Sequence, residues 1–99
     1  MLEIKKQQEG TTLNVSLVGR IDSGSVDDFN REVRDSLGGF DRVIIDMRDL
    51  TNLTSAGLRT LLTICKEMRK RNGMLLRNVR PNILEIFEFT GFDTIFDME

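Results

Sequence analysis

The sequence contains no histidine. That excludes Ser-His and Cys-His nucleophilic catalysis, histidine acid–base chemistry and most zinc sites. Cysteine is nearly absent too: Cys65 stands alone, so no internal disulfide can form, which suits a reducing compartment. There is no Walker-type loop and no Gly-x-Gly-x-x-Gly run, hence no nucleotide-binding motif of the chain's own. No apolar run approaches the ~20 residues of a membrane-spanning helix. The opening residues, Met1 to Lys6, lack the apolar centre of a signal peptide. Basic residues are not in surplus, because the net charge is −2 with both signs mixed along the chain. That argues against nucleic acid as a direct partner and against a polybasic membrane anchor. Together these absences predict a soluble, cytoplasmic protein with no cofactor and no metal. They favour a binding module over an enzyme, since any catalysis would rest on carboxylates, lysines or hydroxyls alone.

What is present suffices for one core. The 99 residues are 39% hydrophobic, which predicts one domain over residues 1–99. Residues 2–8 read as a polar edge strand and Glu9-Gly10-Thr11-Thr12 as a turn. Leu13, Val15 and Leu17 alternate with Asn14 and Ser16, the period of a half-buried strand over 13–18 that closes an antiparallel hairpin. Residues 19–25 read as a loop. Ser25 with Asp28 resembles a capping box before a helix over 26–37, with Val26, Phe29, Val33 and Leu37 on its apolar face and Gly38-Gly39 as its stop. Val43-Ile44-Ile45 is a continuous apolar run, fitting a buried strand over 42–47. Residues 46–54 read as a loop. Leu58, Leu61, Leu62, Cys65 and Met68 then form the stripe of a second helix, with Lys66, Arg69, Lys70 and Arg71 on a solvated face and Asn72-Gly73 as its end. Met74-Leu75-Leu76 reads as a short strand within 74–77. Pro81 opens a third helix carrying Ile83, Leu84, Ile86 and Phe87, which Gly91 closes. Phe92 to Phe96 should pack back as a tail or short strand, and Phe87, Phe89, Phe92 and Phe96 read as packing residues.

The order is β-β-α-β-α-β-α, an α/β fold with a mixed sheet of four to five strands and three or four helices. Right-handed crossovers would make the strands at 13–18, 42–47 and 74–77 parallel. That brings the loops at 19–25, 48–55 and 77–81 to one end of the sheet, where open α/β sheets place their sites. Asp22, Ser55 and Asn78 should therefore share an edge.

Ser55 is the residue of interest there. In "NLTSAGLRTLL", residues 52–62, it stands where a loop becomes an amphipathic helix, with Thr51 and Thr54 in the same turn. One reading is a helix N-cap, stabilising by ~1 kcal/mol. Another is a modified hydroxyl, because a phosphate at a helix N-terminus meets free N–H groups and the positive end of the dipole. A hydrolase nucleophile fits poorly: the elbow pattern wants glycine two residues before the serine, and Leu53 is there. Asp22, Asp46 and Asp49 at strand ends suggest Mg²⁺, as in a receiver domain. That fold needs more strand–helix units and a lysine where Arg77-Asn78 stand, so Asp46 and Asp49 read as loop carboxylates.

The stretch "VIIDMRDLTNLTSAGLRTLL" resembles the phosphorylation-loop segment of STAS domains. Asp49-Leu50 and Ser55-Ala56-Gly57-Leu58 match that family's strand-end Asp-Leu and helix-start Ser-(Ser/Ala)-Gly-Leu. Upstream, "LVGRID" resembles its Gly-x-(Ile/Leu)-Asp. Downstream, "NGMLLRNVRPNILEIFEFTGFDTIF" repeats its order of Gly, strand, helix and Gly-Phe. The resemblance spans nearly the whole chain. It implies a stand-alone anti-sigma factor antagonist, a non-enzyme whose partner is both anti-sigma factor and serine protein kinase. The kinase brings ATP and phosphorylates the serine at the helix start, which ends the complex, and a PP2C-type phosphatase restores it. Ser55 would be the phosphoacceptor, with Thr54 and Thr51 as further hydroxyls. Asp22 would be the nearby loop acid. Ser23, Gly24, Asn52, Thr54, Ala56, Gly57 and Arg59 would complete the partner-binding surface. Thr54 departs from the Asp that many members carry before the acceptor, and Asn52 stands where the family is often apolar. The alternative is a STAS subunit docked on a transporter or signalling scaffold, with Ser55 only a cap.

Overall fold

Alternation along one strand sets the plan of the molecule. Leu13, Val15 and Leu17 are buried, while Asn14 and Ser16 turn to the other face. Their neighbours across the sheet repeat the choice: Leu13 stands beside Val43 and then Met74, Val15 beside Ile45 and then Leu76, all buried. One face of the sheet thus carries the core, and the apolar sides of the helices close over it.

The computed structural model describes all 99 residues. In chain order they form β1 (Leu2–Glu9), β2 (Thr12–Ile21), α1 (Val26–Glu32), a 3-10 turn (Arg34–Gly39), β3 (Arg42–Leu53), α2 (Ser55–Arg69), β4 (Met74–Arg77), α3 (Pro81–Thr90), a second 3-10 turn (Phe92–Thr94) and β5 (Asp97–Met98). The sheet is mixed, in the order β1-β2-β3-β4-β5, with β1 antiparallel to β2 and every later pair parallel. This is the expected β-β-α-β-α-β-α order with a short fifth strand added. No helix is long and apolar enough to cross a membrane.

Two strands run further than the sequence predicts. β2 continues through Gly19, Arg20 and Ile21, and β3 continues to Leu53 instead of yielding to a loop at Asp46. Past Asp46 the buried residues are Met47, Leu50 and Leu53, a spacing of three, which hides a strand from a search for alternation. The register explains it. Ser16 pairs with Asp46 and Val18 with Asp49; Gly19 pairs with Leu50 and Arg20 with Asn52. Each step inserts one extra residue on β3, so two bulges convert period two into period three. Asp46 and Asp49 are therefore strand residues, not loop carboxylates. Gly19 sits at φ 107°, and a Cβ there would run into the Met1 carbonyl, so any side chain would be both strained and obstructed.

The first helix is broken. Its α-helical part ends at Glu32, and a 3-10 turn carries residues 34–39. Val33 departs to φ −114°, ψ −64°, and the Ser36 hydroxyl reaches the carbonyls of Glu32 at 2.8 Å and Val33 at 3.0 Å, competing with the α-helical ladder. Phe29, Val33 and Leu37 stay buried through the change. Gly38-Gly39 lies inside that turn rather than beyond a helix.

Arg71 is not a solvated charge. It donates to the Leu37 and Phe40 carbonyls at 2.6 and 2.7 Å, satisfying the end of the 3-10 turn, and pairs with Glu67 at 3.2 Å. Arg69 donates to the Ile95 carbonyl at 3.0 Å, while Lys66 and Lys70 stay exposed. Cys65 is buried, and that burial pushes its thiol up. Of the four phenylalanines near the C-terminus, Phe87 and Phe92 pack edge-on against Phe96, with centroids 5.1 and 5.7 Å away. Phe89 does not pack; it is 94% exposed, because two residues beyond Phe87 lies the opposite side of α3. The tail turns at Phe92–Thr94, and its strand is Asp97–Met98, two residues alongside β4.

Candidate functional site

The site begins where β2 and β3 end together. Ile21 pairs with Leu53, and the Thr54 N–H donates to the Ile21 carbonyl at 3.0 Å. The loop of Asp22, Ser23 and Gly24 is thereby set beside the start of α2.

Thr54, not Ser55, is the N-cap. Its backbone is extended (φ −87°, ψ 171°), and its carbonyl accepts the first helical bond from Leu58 at 2.9 Å. The Thr54 side chain does not cap the helix; its hydroxyl is buried without a hydrogen-bond partner. Ser55 occupies the first helical position and is exposed, so the reading of Ser55 as a cap is corrected. With the first bond closing at Leu58, the N–H groups of Ser55, Ala56 and Gly57 have no intrahelical acceptor. Nor does the Ser55 hydroxyl make a side-chain bond of the kind that fixes Ser25, Thr51 and Thr60. It is a free hydroxyl at the positive end of a helix of 15 residues.

Gly57 is required by close packing. A Cβ there would lie 2.6 Å from Ile21 Cγ2 and 2.7 Å from Leu53 Cδ1. Only glycine lets the first turn of α2 settle onto the ends of β2 and β3, which fixes where Ser55 points.

Asp22 organises its own loop. Its Oδ1 accepts from the N–H groups of Gly24 at 2.9 Å and Ser25 at 3.1 Å, and Arg20 lies 3.3 Å from Oδ2. The Gly24 N–H, more than the Ser25 hydroxyl or the Arg20 charge, holds this carboxyl below its ordinary range. Ser25 is buried and does not form the expected capping box. Its Oγ accepts from the Asp22 N–H at 3.0 Å and lies 2.9 Å from the Arg20 carbonyl, so it closes the loop backward.

The remaining predicted residues divide. Ser23, Gly24, Asn52 and Arg59 are exposed near the ends of β2 and β3, Arg59 one turn beyond Ser55 on the same helix. Ala56 is half-buried. Thr51 is exposed, but its hydroxyl donates to the Gly19 carbonyl at 2.9 Å across the strand pair. Asn78 is not brought to Ser55. β4 ends at Arg77 opposite Asp46, while β3 continues to Leu53. Asn78 adopts φ 56° and donates to Asp46 Oδ1 at 3.0 Å. Burial pushes the Asp46 carboxyl up, but the Asn78 amide and the Arg48 N–H outweigh it and hold it low. No three acidic or cysteine side chains converge as metal ligands.

Three supporting hydrogen bonds escaped the sequence. Thr60 and Asn30 bond at 2.6 Å between α2 and α1. Asn82 donates to the Thr51 carbonyl at 2.9 Å and Arg80 to the Arg48 carbonyl at 3.0 Å, so the start of α3 braces the outer half of β3. A polar Thr60 in an otherwise apolar stripe was the available signal; the other two bonds have no local signature.

A family model described as STAS domain matches residues 3–99. BtrV of Bordetella bronchiseptica, assigned as an anti-sigma factor antagonist, is 33% identical over 82 residues, 81% of this chain and 71% of its own length. The structure of an anti-sigma factor antagonist from Mycobacterium paratuberculosis superposes with a TM-score of 0.80 at 22% identity, covering 99% of this chain and 85% of that one. The Bacillus cell fate determinant SpoIIAA in its phosphorylated form gives 0.75 at 19% identity, covering 100% and 91%. The two structures share the fold, and the family model shares the sequence nearly end to end: this chain belongs to the STAS domain family.

Proposed function

We propose that residues 1–99 act as one STAS domain that serves, in the cytoplasm, as an anti-sigma factor antagonist. Its partner is an anti-sigma factor that is also a serine kinase, and binding it releases the sigma factor. Phosphorylation of Ser55 ends the complex and a PP2C-type phosphatase restores it. The carrying observation is the exposed, unbonded Ser55 hydroxyl at the first position of α2. The relatives named as antagonists support the partner class.

The switch works by charge. A phosphate adds about −1.5 to −2 at neutral pH. On Ser55 it would stand at a helix N-terminus, which tolerates an anion, so the fold is undisturbed. The surface around it, from Asp22 to Arg59, changes its field instead. An interface built around a neutral hydroxyl then meets repulsion and desolvation, and ~4 kcal/mol of such cost lowers affinity about 1000-fold.

Titration of the partner kinase with Ser55 variants tests this reading. Ser55→Ala should bind within about threefold of the parent, and Ser55→Asp at least about tenfold more weakly, a difference of ~1.4 kcal/mol. Equal binding by both variants would remove the switch and leave the docking of a scaffold or transporter as the better account.

A further inference from the structure

The two edges of the sheet are unlike. β5 offers two residues, whereas β1 offers eight, with no proline and no bulge against β2. The hydrogen bonds fix which residues face outward. Arg20 N–H donates to the carbonyl of Met1, its opposite residue, which makes Met1–Arg20 a bonded pair of the antiparallel ladder. Alternation then directs the N–H and C=O of Glu3, Lys5, Gln7 and Glu9 toward β2. Those of Leu2, Ile4, Lys6 and Gln8 point into the open.

From this parity we infer that β1 pairs antiparallel with β1 of a second copy, about a two-fold axis at Ile4. Bonded pairs can form only between outward-facing residues, so the possible registers are few. Centring on Lys5 sets Lys5 against Lys5, centring on Lys6 sets Lys6 against Lys6, and centring on Glu3 sets Glu3 against Glu3, each a like-charge clash. Centring on Ile4 sets Glu3 against Lys5 twice, Leu2 against Lys6 twice, and Ile4 against itself. A centre at Gln7 also matches Lys5 with Glu9, but it engages only residues 5–9 and no apolar side chain. The charges on β1 thus guard the edge against indiscriminate pairing and leave one long register open.

The neighbouring surface agrees. Leu2 and Ile4 are only partly buried and line a shallow depression with Asp28, Arg31 and Glu32 of α1. In a continuous ten-stranded sheet, Ile4 of each copy would cover the other's half of that depression. None of the Ser55 site residues lies on β1, so the pairing does not rest on the switch proposed above and leaves that site free.

Sedimentation velocity of the whole chain, from micromolar to millimolar, reads the outcome. The parent should show a concentration-dependent monomer–dimer equilibrium. Glu3→Lys and Lys5→Glu should each weaken it at least tenfold, and the double variant should restore it. Ile4→Pro, which removes an outward N–H and no bond to β2, should give a folded monomer. A parent that stays monomeric throughout, single charge variants that dimerise like the parent, or a double variant that fails to recover would each overturn the inference.

Discussion

Gly57 and Ile21 meet with no room between them: a Cβ on residue 57 would stand 2.6 Å from Ile21 Cγ2. Gly57→Ala gains ~1 kcal/mol in helix propensity. It also forces apart Ile21 and Leu53, which are 0% and 4% exposed and have nowhere to go. Overpacking of a filled core costs about 1–3 kcal/mol and wins. Urea denaturation should show net destabilisation of up to about 2 kcal/mol, and the displaced first turn should weaken binding of the proposed partner as well. A variant as stable as the parent would mean that the α2–β2 contact is looser than described.

Thr54 gives the opposite expectation. Truncating an N-cap threonine ordinarily costs about 1 kcal/mol. Here the side chain makes no cap bond and its hydroxyl is buried without a partner. Thr54→Val keeps the shape and removes the unpaired group, so stability should be unchanged or raised by up to about 1 kcal/mol. A midpoint that falls by that amount would show the hydroxyl bonded after all.

Arg71 and Lys66 are both cations on α2 or its end, yet they should behave differently. Arg71→Ala leaves the Leu37 and Phe40 carbonyls without their donor and should cost about 1–3 kcal/mol in the same denaturation series. Arg71→Lys recovers only part, because an ammonium lacks the planar fork. Lys66→Ala, on an exposed position, should stay within about 0.5 kcal/mol of the parent.

Acid should loosen the molecule through Asp22 and Asp46. Both carboxyls are held below the ordinary value, Asp22 by the Gly24 N–H and Asp46 by the Asn78 amide and Arg48 N–H against its burial. The unfolded chain therefore takes up protons first as pH falls. Their contribution is complete above about pH 4 and is lost as pH drops through the lowered folded values. Urea midpoints between neutrality and about pH 2 should decline over that window. Asp46→Asn keeps an acceptor for Asn78 and should flatten the decline; an unchanged slope would detach Asp46 from it.

The element order, the parallel core of the sheet and the edge carrying Ser55 were legible because each rests on local period. Alternation at residues 13–17, the apolar run at 43–45 and the stripe of α2 report burial directly. The outer half of β3 was not legible, since two bulges change its period to three. The break after Glu32 was hidden because Phe29, Val33 and Leu37 keep helical spacing through a 3-10 turn. The cap was displaced by one residue because serine and threonine are equally good candidates, and backbone geometry alone separates Thr54 from Ser55. The misplacement of Asn78 follows from the same hidden stretch: β3 reads as ending near Met47, level with β4, whereas β4 stops at Arg77 opposite Asp46, before the middle of β3, which runs on to Leu53.

The strands stand in space in the order in which they occur in the chain. No strand has to be inserted between two that are already paired. A chain emerging from its N-terminus can lay each new strand on a finished edge, closing only the short span of one crossover at a time. The last addition, two residues long, then ends the growth of the sheet by leaving too little edge for another strand. The topology permits assembly in chain order, in which the serine edge would be complete once α2 has docked, before β4 and α3 brace it.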